Sequence, residues 1–321
     1  MNKHSRSKQP YTNYYYRAGH PVVGRPTADK LPKKTHRLRN VSLILVVVLV
    51  AALSYGFTRS GKVTVKKYVK PVVAVVIHKS STTTQPAGLS PAALQTMSSA
   101  INVVISQNSN IDMSVSLIDL TNNQAENYGD SSAFTAASTT KVITAADFLH
   151  EVELGQQTLS ETINGSTAEY EIQQMIVVSD DNAWDALNST LGYSQLQSYA
   201  NSIGVSSFQS EPNTVTSSDM ALLLEKLYEG ELLNSSDTQL LLSYMKQANY
   251  REYIVPAVPS SDTIYHKIGL YEDNVHDEAI ITNGQKAFVI VIFTNGNGAY
   301  NWPARAQMMQ TITQAALAAY F

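Results

Sequence analysis

From Asn40 to Thr58 the chain runs for 19 residues without a charge, through Leu43-Ile44-Leu45-Val46-Val47-Val48-Leu49-Val50-Ala51-Ala52-Leu53, and Arg39 and Arg59 bound the run. A helix of this length just crosses a hydrocarbon core of about 30 Å, so 41–58 is expected to be a single transmembrane helix. The formal net charge of −3 hides a division on either side of it. Residues 1–79 hold 16 Lys/Arg and one Asp/Glu, whereas residues 80–321 hold 7 Lys/Arg and 25 Asp/Glu. Ten of the basic residues precede the run. That bias keeps an N-terminus in the cytoplasm and predicts a single-pass cell-membrane protein with an extracytoplasmic domain. A cleaved signal peptide competes, since Ala52-Leu53-Ser54 offers small residues to a peptidase. A basic tail of about forty residues favours a retained anchor.

The flanking segments read differently. Residues 1–40, with Tyr14-Tyr15-Tyr16 and prolines at 10, 21, 26 and 32, show no helical or strand period and are expected to be a disordered cytoplasmic tail. Lys33, Lys34, Arg37 and Arg39 would lie against anionic lipid; a nucleic-acid partner is not expected. Residues 59–90, ending in Ser80-Ser81-Thr82-Thr83-Thr84-Gln85-Pro86, have the composition of a stalk.

Residues 91–321 are then the folded domain. The chain has no cysteine, so neither disulfides nor thiolate metal sites contribute, and 44% hydrophobic content leaves stability to a packed core. Ser90-Pro91 reads as a helix start, with Leu94, Met97, Ile101, Val104 and Ile105 at helical spacing through Gln107. Met113 to Leu120 alternates as a half-buried strand, with a turn at Thr121-Asn122-Asn123 towards a second strand near 125–128. Helices are expected at 138–153, 168–178, 184–203, 218–229 and 237–247, strands at 263–268, 278–282 and 287–293, and a last helix at 304–319. Strands at both ends with helices between them predict one α+β domain whose early and late strands share an antiparallel sheet.

Within this frame Ser138-Thr139-Thr140-Lys141 opens the helix after the first strands. Read as helical, it places Ser138 and Lys141 three residues apart on one face, where an amine can reach a hydroxyl. The same spacing at Ser5/Lys8 and Ser243/Lys246 shows that the pair alone proves little; an N-cap serine beside a solvated lysine explains it as well. Two further motifs select the Ser138 copy: Ser179-Asp180-Asp181-Asn182 after an apolar helix, and His266-Lys267-Ile268-Gly269 at a strand end.

These three motifs, in this order, resemble the S-x-x-K, S-D-N and K-T-G set of class A β-lactamase-related serine hydrolases and penicillin-binding proteins, and the resemblance spans residues 91–321. It implies a β-lactamase-like fold with an all-helical subdomain. It also implies a serine hydrolase in which Ser138 attacks a β-lactam or a D-alanyl cell-wall peptide to form an acyl-enzyme. Lys141 is then base or relay, Ser179 passes a proton to the leaving nitrogen, and Lys267 balances a substrate carboxylate. The amides of Ser138 and Leu270 form the oxyanion hole, and Gly269 lets the substrate backbone approach the strand. No cofactor is implied.

Three positions depart from the pattern. Asp181 stands where the family has an amide, unless Asn182 takes that place by a one-residue shift. Ile268 replaces a hydroxyl residue, and losing such a bond to a charged group costs about 1.5–3 kcal/mol. For deacylation, Glu211-Pro212 echoes the glutamate loop of class A β-lactamases but is followed by Asn213-Thr214, so Glu211 is only a candidate base and antibiotic turnover is expected to be slow. A catalytically degenerate cell-wall peptide-binding module on the same fold is the alternative.

The remaining polar and aromatic residues have plainer readings. No histidines pair at ligand spacing, so no metal site is expected. His150 reads as a helix C-terminal partner, Asp219 as a helix-start acid, and Trp184 and Trp302 as core; His266 and Asp277, flanking the cleft strand, resemble family positions, and hydrogen bonding at strand ends explains them as well.

Overall fold

The computed structural model describes residues 88–298 and 302–321, all within one compact unit. The expected tail, the 41–58 span and most of the 59–90 stalk lie outside the described residues. Among the described residues no helix is long and apolar enough to cross a membrane.

The first helix, α1 (Pro91–Gln107), forms where the sequence predicts it: Ser90 Oγ accepts the Ala93 N–H at 3.2 Å, and Met97, Ile101 and Val104 are buried. Strands β1 (Asp112–Asp119), β2 (Gln124–Gly129) and β3 (Phe134–Thr135) follow. Helix α2 (Lys141–Glu153) is next, then the short pair β4 (Thr162–Ile163) and β5 (Ser166–Thr167), and α3 (Ala168–Val177). The single helix expected over 184–203 is two helices, α4 (Asp181–Leu191) and α5 (Tyr193–Ser202). Gly192 between them has φ 87°, a conformation that costs glycine nothing and ends the α-helical run. Strand β6 (Thr214–Val215), α6 (Ser217–Glu229) and α7 (Ser235–Lys246) lead back to β7 (Thr263–Tyr271), β8 (Asn274–Thr282), β9 (Ala287–Asn295) and α8 (Trp302–Tyr320).

The five long strands form one antiparallel sheet in the order β2-β1-β9-β8-β7, so the early and late strands do share it. Both faces are covered. Along β9 Val289, Val291 and Phe293 join the core beneath α2 to α7, while Phe288, Ile290 and Ile292 join the core beneath α1 and α8. Burial on both faces corrects the half-buried reading of β1. Its polar alternates Ser114 and Ser116 are inside, each bonded at 2.7 Å to Ser217 Oγ at the start of α6. Strand β8 begins four residues before the expected 278. The run Asn274-Val275-His276-Asp277 lacks apolar alternation yet is paired residue by residue with β7 and β9. Strand β7 is the sheet's edge, and the site is built along it.

Candidate active site

Ser138 does not lie in α2, as expected, but in the turn between β3 and the helix. The turn is helix-like: Thr139 N–H bonds to Ala136 O and Lys141 N–H to Ser138 O, so the three-residue spacing still faces Ser138 towards the first turn of α2. Three contacts hold this turn. Asn213 accepts the Ala136 N–H on its carbonyl, donates from Nδ2 to Ala137 O at 2.9 Å, and accepts from Thr140 Oγ1 at 2.7 Å. His276 donates from Nε2 to Thr135 O at 2.8 Å and receives the Thr294 N–H on Nδ1 at 3.1 Å. Burial pulls its pKa down to about 4, which keeps the ring neutral, and the Thr294 N–H on Nδ1 selects the Nε2–H tautomer.

The third contact is Gly269. A Cβ there would lie 2.7 Å from Ala136 O and 3.1 Å from Ser138 N. The backbone that needs this glycine is therefore the chain's own Ala136–Ser138 turn, where a substrate backbone was expected. The same contact sets the amides of Ser138 and of the Gly269-Leu270 segment on adjoining backbones. Ala137, held at φ 52° by these partners, adopts a left-handed conformation that costs a residue with a Cβ about 1–2 kcal/mol.

Lys141 is fully buried, with its Nζ within hydrogen-bond distance of Ser179 O at 2.9 Å, Ser179 Oγ at 3.3 Å and Asp181 Oδ1 at 2.6 Å. Trp184, read from sequence as core, walls this amine at 5.1 Å from its ring centroid and donates its indole N–H to Thr144 Oγ1. Desolvation lowers the pKa of Lys141, and Asp181 opposes that shift. Ser179 sits at φ 59° between α3 and α4, fixed by Asp180, whose carboxylate caps α4 through the Asn182 and Ala183 amides. Lys267, 1% exposed, donates to Ser179 Oγ and to Ile268 O, both at 2.9 Å. Desolvation, and then the nearby Lys141, pull its pKa down to about 7, against Glu278, Asp277 and Asp181.

The structure thus links Lys141, Ser179, Lys267 and Asp181 by hydrogen bonds, and sets the Ser138 backbone against Gly269, two residues along the strand from Lys267. The half-buried Ser138 hydroxyl makes no hydrogen bond to either lysine or to Ser179. Asp181, not Asn182, bonds the lysine, and the exposed Asn182 engages through its backbone alone. Glu211 is exposed and bonded to neither lysine; its neighbour Asn213 makes the structural contacts instead. His266 and Asp277 are structural hydrogen bonders, though within β7 and β8 rather than at strand ends: they bond to each other at 3.3 Å, and Asp277 also accepts the Ile254 amide.

Asn213, His276 and Glu278 were not picked out as site residues. The positive φ of Asn213 and the alternation of β8 become visible only once the strands are paired. Among the described residues no group of three or more His, Asp or Glu side chains is placed to hold a metal ion.

The architecture has solved counterparts. A structure described as ancestral (GNCA) class A β-lactamase superposes with a TM-score of 0.66 at 19% identity, covering 70% of this chain and 100% of that one. PBP-A superposes at 0.64 with 20% identity over 69% and 94% of the two chains. A PBP-A mutant, solved as an acyl-enzyme complex with penicillin G, gives 0.64 at 21% identity over 70% and 95%. No curated protein matches at a significant level. The family model described as the β-lactamase enzyme family matches residues 96–320, and on that span this chain belongs to the β-lactamase enzyme family.

Proposed function

We propose that the protein is a membrane-anchored, extracytoplasmic serine hydrolase that forms an acyl-enzyme at Ser138 with β-lactams or D-alanyl cell-wall peptides. The observation that carries this reading is the Ser179 hydroxyl, which receives N–H groups from both Lys141 and Lys267. With its lone pairs occupied, its own O–H is left to point at a third group. In acyl transfer that group is the departing nitrogen.

Ser138 Oγ attacks the acyl carbon, and its proton passes to Lys141, which burial shifts towards the neutral amine. Ser179 protonates the leaving nitrogen as the carbon–nitrogen bond breaks and recovers a proton from the lysine beside it. The amides of Ser138 and Leu270 stabilise the oxyanion. Water then cleaves the ester slowly, because Glu211 has no bond that aims it at the site. Residues 41–58 supply the anchor.

A non-catalytic peptide-binding module is the second reading. Two observations favour it: the Ser138 hydroxyl is not bonded to Lys141, and Asp181 lies against that lysine, favouring its charged form. Intact mass spectrometry after brief exposure to penicillin decides between them. The hydrolase gains the mass of the antibiotic, keeps it for hours, and fails to gain it as Ser138→Ala. Absence of any adduct at saturating penicillin leaves the binding module.

A further inference from the structure

Glu278 is fully buried in β8, and neither of its carboxylate oxygens has a hydrogen-bond partner among the described residues. It stands directly opposite Lys267 in the β7–β8 ladder and opposite Val291 in the β8–β9 ladder. Residues paired in this way share a face, with Cβ atoms about 4.5–5.5 Å apart. Ile280 and Val291 flank Glu278 on this face, with His276 two residues back along the strand and already bonded to Thr135 O and the Thr294 amide, so a leucine would suit the position. An unpaired carboxylate here costs stability, and only a role outside stability accounts for it.

We infer that Glu278 is a positioning residue for this site, whose charge keeps the Lys267 amine in its ammonium form against Ser179. The inference deepens the acyl-transfer reading and rests on it for the use made of that ammonium group. Lys267 lies one hydroxyl away from Lys141, so once Lys141 has taken up a proton two like charges meet at Ser179 Oγ. Asp181 answers the first and Glu278 the second. The charged groups acting on Lys267 are Lys141 from α2, Asp181 from α4, and Glu278 and Asp277 from β8; those acting on Glu278 are Lys267 and Asp277. Helices α6 and α7, packed against β8 and β7, add none. Asp277 is committed to the Ile254 amide and His266 on the opposite face. Desolvation raises the pKa of Glu278 well above the ordinary carboxylate range and Lys267 opposes that shift, so the ionised carboxylate and the ammonium group favour each other and the two titrations are coupled.

The test is a titration of Lys267 in the full chain, read from its side-chain 13Cε resonance, assigned with Lys267→Arg, alongside the pH dependence of labelling by fluorescent penicillin. In Glu278→Gln and Glu278→Leu the Lys267 midpoint, and with it the alkaline limb of labelling, falls by about one pH unit. Glu278→Asp returns it towards the parent value. Glu278→Leu keeps or raises Tm, a combination that a purely structural role does not produce. If Glu278→Leu fails to fold, the Gln and Asp variants decide. A Lys267 midpoint unmoved in Glu278→Gln overturns the inference. A shifted midpoint in a protein that penicillin never labels upholds the inference and sinks the acyl-enzyme reading instead.

Discussion

Two pairs of ionisable residues sit side by side on the β7–β8 hairpin and face opposite sides of the sheet. His266 and Asp277 point into the core under α1 and α8. There the Asp277 oxygens are taken by His266 and the Ile254 amide, and the second ring nitrogen of His266 faces Ala248 O at 3.4 Å. One residue along each strand, Lys267 and Glu278 point the other way; the lysine is bonded to Ser179 and the glutamate to nothing described. Burial is complete at all four. What separates a structural polar pair from a working one is how fully its hydrogen bonds close. A closed pair stabilises one conformation, whereas an open one keeps a charge or a proton ready for a ligand.

Substitutions on the two faces should therefore part company. Ser179→Ala removes the hydroxyl between the lysines. We expect penicillin acylation to fall by about 10²–10⁴-fold, with Tm little changed, measured by stopped-flow labelling and a thermal melt. Asp277→Ala should do the reverse. Leaving His266 and the Ile254 amide unpaired inside the core costs about 3 kcal/mol in a denaturant titration, while the labelling rate per folded molecule stays near the parent value. Equal losses of rate and stability in either variant would erase the contrast between the faces.

Asp181→Asn sharpens the picture on the active face. Its carboxylate now repels anionic ligands, so the amide should speed acylation by a carboxylated β-lactam about tenfold and leave the methyl ester of the same compound nearly unaffected. Competition between the two labels reads the ratio directly. An equal gain for both would mean that Asp181 acts through Lys141 rather than on the ligand.

Much of the fold was legible because hydrophobic period is local. Met97, Ile101 and Val104 mark α1 by spacing alone, and the apolar residues of 287–293 mark β9. The site was legible through residue types in order: Ser138, Lys141, Ser179 and Lys267 were all nameable before any distance was known. The start of β8 escaped because Asn274, His276 and Asp277 break the apolar alternation while being buried by neighbours distant in sequence. Gly269 was singled out, but its contact was assigned to a substrate. The turn that fills the space, Ala136 to Ser138, lies more than 130 residues earlier.

Composition and order alone pointed to an α+β domain behind a basic and apolar N-terminal segment, and to Ser138, Lys141, Ser179 and Lys267 as candidate site residues. Only the folded sheet decided which acid meets which lysine, because cross-strand register is set by packing on both faces at once. Asp181 meets Lys141 by way of the helix cap at Asp180, and Glu278 meets Lys267 by way of the hairpin at Glu272-Asp273. Contacts of that kind depend on which strands become neighbours, and no local stretch of sequence carries that information.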